Sequence, residues 1–196
     1  MSKIDWEYPE PRAGLLGEWD KFIGPGTSRA EFWLELVFSI AGAALVPFYA
    51  QKAGADWAWW QLAIAIFIGF DLAGGVVVNA SSAAKRWYHR SGQGFWQHFG
   101  FIAVHLAHIF LVAWLFAGMD WGFFVSMSLY LLLGSAAILG SPLYLRRPLA
   151  MGLVAFAVPF NVYLFPSPTG MEWFIPFLFL KLMVSHALRE EPYQPE

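Results

Sequence analysis

Three histidines, His98, His105 and His108, interrupt the apolar segment 95–117, FWQHFGFIAVHLAHIFLVAWLFA, which is otherwise fit to cross a bilayer. An ionisable side chain inside a membrane span is costly, so it faces the protein interior and marks a functional site as the first hypothesis. At about 100° per residue, His98 and His105 point within about 20° of each other and His108 about 60° further round. All three therefore share one stripe. His105 and His108 are i, i+3 neighbours that can reach one metal ion or one substrate group. His98 stands about 10 Å from His105 along the axis.

Neutral imidazole is a good ligand for Zn, Fe and Cu, and a carboxylate can complete the shell. Asp71, His105 and His108 are thus the expected ligand set for a divalent metal such as Fe or Zn, with haem the weaker alternative. Without a metal, the same residues are an acid and a base, because burial and neighbours tune both pKa values. The expected catalytic set is Asp71, His105 and His108, with Lys181 tuning the charge. His98 and His186 are the expected cofactor-binding pair of a shallower layer that also includes His89. The competing expectation is structural, with Asp71 bonded to Lys181 or His105 and holding helices together as buried polar groups do.

Elements that could hold these residues follow from hydropathy. Six apolar segments, at about 31–50, 57–79, 95–117, 121–140, 148–165 and 171–188, each approach the roughly 20 residues a helix needs to cross the hydrocarbon core. The expected fold is all-α: a six-helix transmembrane bundle spanning 31–188, with a cytoplasmic segment 1–30 and a cytoplasmic tail 189–196. Gly24-Pro25-Gly26 is a helix stop, and Ser28-Arg29-Ala30-Glu31 is a capping-box pattern that opens the first span. Before it, Leu15, Leu16, Trp19, Phe22 and Ile23 fall opposite Glu18, Asp20 and Lys21, which predicts a short amphipathic interfacial helix. Pro159 and Asn161 mark a kink in the fifth span, and Gly74-Gly75 a close helix contact.

Charge sets the orientation. With the N-terminus inside, the cytoplasmic segments carry Lys3, Arg12, Lys21, Arg29, Lys85, Arg86, Arg90, Arg146, Arg147 and Arg189, against Lys52 on the other side. That positive-inside bias puts both termini in the cytoplasm of a plasma or inner membrane. Helical rise, about 1.5 Å per residue, then places Asp71, His105 and Lys181 in one layer of the inner half of the bilayer.

Composition agrees with this class. The 196 residues are 58% hydrophobic and 13% charged, with a mean hydropathy of +0.51, whereas a soluble domain has about 25% charged residues. The net charge of −2 and the lack of a basic stripe argue against nucleic acid. The absence of cysteine removes disulfides, thiolate metal sites and a Cys nucleophile. The five histidines form none of the HxxxH or HxxHH boxes of membrane hydroxylases and desaturases. Ser135 lacks the GxSG context of a rhomboid-type dyad. The expected function is a small integral-membrane enzyme acting on an apolar or lipid-like molecule through a His/Asp site. The alternatives are a haem- or pigment-binding subunit and a proton-coupled transporter. Expected partners are membrane lipids and an apolar small molecule.

Overall fold

The computed structural model describes residues 3–194, and these form an all-α protein with no named strand among them. The chain begins with a short helix, α1 (Leu15–Ile23), and enters α2 (Arg29–Ala53) through the capping box. There Ser28 Oγ accepts from the Glu31 amide at 3.2 Å, and the Ser28 amide donates to Glu31 Oε2 at 2.8 Å. Both donors would otherwise be orphans of the first turn. Glu31 Oε1 also accepts from the Ala83 amide, tying α2 to the segment after α3.

α3 (Trp59–Ala80) packs along α2 at small residues. A Cβ on Gly42 would stand 2.5 Å from the Gly69 carbonyl oxygen, so only glycine lets the two backbones approach this closely. That contact lies two residues before Asp71 and fixes the helix that carries it. The short α4 (Ser82–Tyr88), capped by Ser81, follows without leaving the same end of the bundle.

The third apolar segment is two helices, α5 (Phe95–Val104) and α6 (Leu106–Ala117), divided at His105. α7 (Trp121–Gly140) and α8 (Leu143–Tyr163) follow; α8 begins earlier than the expected 148 and includes Arg146 and Arg147. Its two internal prolines, Pro148 and Pro159, leave it unbroken. Asn161 donates to the Phe165 carbonyl and accepts from Ser167 Oγ, which satisfies backbone just past the helix end.

Five stretches are long and apolar enough to cross a membrane: Arg29–Ala53, Trp59–Ala80, Phe95–Ala117, Trp121–Gly140 and Leu143–Tyr163. The sixth expected span, 171–188, is shorter. It consists of α9 (Phe174–Phe179), 6 residues, running into a π-helical segment, Leu180–His186, of 7 residues. Together they reach about 20 Å, against the roughly 30 Å of a hydrocarbon core. Phe123, Phe174 and Phe179 fill the interior, while Trp59 (81%) and Phe67 (69%) are turned outward. Apolar side chains on the outside are what lipid, not water, solvates.

Candidate functional site

The break at His105 is local chemistry. The His105 amide bonds the Ile102 carbonyl at 3.1 Å, one residue short of α-helical pairing, which releases the Phe101 carbonyl. The His105 side chain takes the released acceptor, with Nδ1 at 2.8 Å. A carbonyl only accepts, so Nδ1 carries the hydrogen and Nε2 of the neutral ring keeps its lone pair. One turn on, the His108 ring stacks on His105 with centroids 5.2 Å apart and 15° between planes. His108 Nε2 stands 3.3 Å from Asp71 Oδ2. Its Nδ1 is buried with no partner among the described residues.

The same Asp71 oxygen accepts from Lys181 Nζ at 2.7 Å, and Lys181 is 4% exposed. A buried ammonium needs such a partner, because either ion left alone there is strongly destabilising. Gly75 provides the room: a Cβ at that position would lie 2.9 Å from Lys181 Nζ and closer still to the stem. Lys181 comes from the π-helical segment, a geometry that recurs at functional sites.

Asp71, His105 and Lys181 line a cavity of 90 Å³, closed on one side by Phe22 of α1 and by Tyr88 and Phe101. A crevice of 160 Å³ shares Phe22, Asp71, Gly75 and Val78 with it and continues to Phe67 and Phe70. Those two rings are 69% and 41% exposed, so the crevice ends on the apolar outer surface. The Tyr88 hydroxyl donates to the Phe22 carbonyl at 2.9 Å and fastens α1 over the cavity.

The remaining histidines meet in a second group. His98 Nδ1 and His186 Nε2 are 3.1 Å apart, so one must donate to the other. His89 stacks on His98 at 4.4 Å and its Nε2 meets the His186 carbonyl at 3.1 Å. Phe101 joins the groups: its ring stacks on His186 at 4.0 Å and lies 4.9 Å from the His105 ring. All five histidines of the chain thereby stand in one run of ring contacts that ends at Asp71.

Lys85, one of the cations expected in the cytoplasmic segments, is instead 2% exposed. Its ammonium donates to the carbonyls of Ser185 at 2.5 Å and Leu188 at 2.6 Å, satisfying the end of the last helix. Burial pulls its pKa down to about 8. Burial, and then the neighbouring His98, hold His89 down at about 2, and burial raises the Tyr88 hydroxyl to about 12.

Of the expected residues, Asp71, Lys181 and His108 are thus in direct contact, with His105 against His108, and His98 pairs with His186. Of the two partners expected for Asp71, Lys181 bonds it and His105 does not; His108 stands beside the same oxygen instead. The expected metal set does not fit. Among the described residues no three His, Cys, Asp or Glu side chains are grouped to hold an ion. Lys181 already neutralises Asp71, and His108 Nε2 faces that same carboxylate oxygen rather than a common ion. Nor can His98 and His186 straddle a haem iron as they stand: two bonds of about 2 Å require a wider gap than their 3.1 Å.

Phe22, Phe101, Tyr88 and Lys85 are the residues that sequence reasoning missed. Phe101 alone carries a signal, standing one turn before His105 on the histidine stripe. Comparison with protein-family models, curated proteins and solved structures finds no match to this chain.

Proposed function

We propose that this is an integral-membrane enzyme that acts by acid–base chemistry on an apolar or lipid-like molecule. The observation that carries the reading is the crevice, which joins an outward apolar surface at Phe67 and Phe70 to a cavity holding a base, a carboxylate and a cation. His105 Nε2, with its lone pair toward no protein donor among the described residues, is the base. Lys181 stabilises negative charge developing on the substrate, as a preorganised cation in a dry site does. Asp71 holds that ammonium charged and in place, and His108 braces the carboxylate.

The proposed topology has six crossings with both termini cytoplasmic and α1 in the interface. Its support is the pairing of Ile4 with Tyr193, reinforced by Asp5 N to the Pro192 carbonyl at 2.9 Å. Ends that meet on one face fit an even number of crossings, with Phe174–His186 and its flanks as the proposed sixth. The positive-inside bias supplies the direction.

The test is lipid profiling. Purified wild-type protein and His105→Gln are reconstituted in a total polar-lipid extract supplemented with isoprenoid alcohols, and the lipids are followed by mass spectrometry. Wild type should consume one lipid class that the folded variant leaves intact; identical profiles would sink the reading. A proton relay is the second reading, favoured by the single run of five histidines. Proton flux into the same liposomes, lost in His105→Gln without any lipid change, would select it.

A further inference from the structure

We propose that the cavity framed by Lys85, Arg146, Arg147 and Arg189, on the face that carries both termini, binds a phosphate group, borne by a lipid headgroup or free in solution. The proposal stands apart from the acid–base reading, because none of Asp71, His105, His108 or Lys181 lines this cavity. At 620 Å³ it is larger than the cavity beside His105 and within the range of small-molecule sites, about 300–1,000 Å³. It sits where α4, the start of α8 and the chain after His186 converge. The tail closes its edge: the Tyr193 amide donates to Ser82 Oγ at 3.1 Å, and both residues line the wall.

Three of the four cations are held in place, each by different means. Arg146 donates Nε to the Ser141 carbonyl at 3.0 Å and Nη2 to the Leu139 carbonyl at 2.8 Å, capping α7. Two of its five N–H groups are thus engaged and the rest remain to face a ligand. Lys85 is anchored on two carbonyls beneath the floor. Arg189 lies over the Trp6 ring at 4.5 Å, a contact that orders a guanidinium without neutralising it. Arg147 is exposed and has no ion pair among the described residues.

Two carboxylates, Glu190 and Glu191, also line the cavity, and Glu190 stands 3.9 Å from Lys85 Nζ. Cations still exceed anions by two on the wall. A surplus of guanidinium groups around one concave site selects phosphate, whose oxygens accept in the fork geometry that arginine presents. Tyr144, 79% exposed beside these arginines, is the amphipathic ring expected where a headgroup meets its acyl chains. The same basic juxtaposition at a cytoplasmic surface favours anionic lipid.

The experiment uses the full chain in detergent and in nanodiscs. Native mass spectrometry counts retained phosphatidylglycerol and phosphatidylcholine, and thermal melting is followed with inorganic phosphate and pyrophosphate. Wild type should retain phosphatidylglycerol about tenfold better than Arg147→Gln/Arg189→Gln and prefer it to phosphatidylcholine. A melting shift with pyrophosphate, lost in the double variant and without lipid selectivity, would identify the free phosphate as the source. Glu190→Gln/Glu191→Gln should tighten binding of whichever probe binds. Equal retention by all three proteins, with no pyrophosphate shift, would overturn the site. If the arginine variant does not fold, failure of the glutamine variant to tighten binding overturns it alone.

Discussion

Asp71 presents one oxygen to both Lys181 and His108, at 2.7 and 3.3 Å, and these contacts make it the pivot of the buried polar groups. Removing one member of a buried ion pair costs about 3–5 kcal/mol, because the other charge is stranded, whereas replacing both by apolar groups is close to neutral. Asp71→Ala should therefore lose about that much stability, and Asp71→Leu/Lys181→Met should recover most of it, as read by thermal melting in detergent. If the acid–base reading holds, the double variant is folded and inactive. Equal melting of wild type and Asp71→Ala would mean that the pair is not formed. At this scale the sequence was informative about residue types and depth: Asp71, His105 and Lys181 belong to one layer by helical rise alone. It was uninformative about partners, because helical spacing gives the face a residue takes and the i→i−3 bonds at His105 and His108 alter that spacing locally. The break gave the carboxylate to His108.

Elements account for the second group of histidines. α4 ends at His89, and its lysine closes the last helix, 100 residues away in sequence. His89 is neutral in this packing, with a folded pKa of about 2 against about 6.5 when unfolded. The unfolded chain therefore binds the extra proton between those values, and stability rises with pH across that window. The contribution is complete above about pH 6.5 and is lost as pH falls toward 2; by pH 5 about 2 kcal/mol of it is gone. Melting temperature should fall between pH 7.5 and 5, and His89→Gln should fall distinctly less. A variant with the wild-type slope would show that His89 is not the titrating group. Lys85, Arg86 and Arg90 were legible as a group of expected cytoplasmic cations, and Lys85 was illegible as a helix cap. Nothing local to it indicates which carbonyls it will meet.

The whole molecule is an inside-out distribution of surface, with Trp59 and Phe67 facing outward and the ions Asp71 and Lys181 paired within. The paired tails, Ile4 against Tyr193, make the sidedness testable. A fluorescent protein fused after the last residue should glow in the cytoplasm, and alkaline phosphatase fused there should be inactive. An active phosphatase fusion at one end alone would break the even-crossing topology. With both ends cytoplasmic, as proposed, the basic cavity would lie at the inner leaflet, where anionic headgroups lie, and the crevice at Phe67 within reach of the acyl chains.

Hydropathy, the capping box at Ser28 and the spacing of three histidines were enough to establish a helical membrane protein, because burial in lipid constrains each segment independently of its neighbours. The capped start of α2 is local chemistry and forms where the residues specify it. Tertiary structure alone decided that the sixth apolar segment is short and π-helical at its end, that Lys85 caps it, and that Phe101 joins two histidine groups. These outcomes depend on contacts between residues far apart in the chain, such as Lys85 with Ser185 and Lys181 with Asp71. No periodicity within a segment encodes which carbonyl, ring or carboxylate another segment will bring to it.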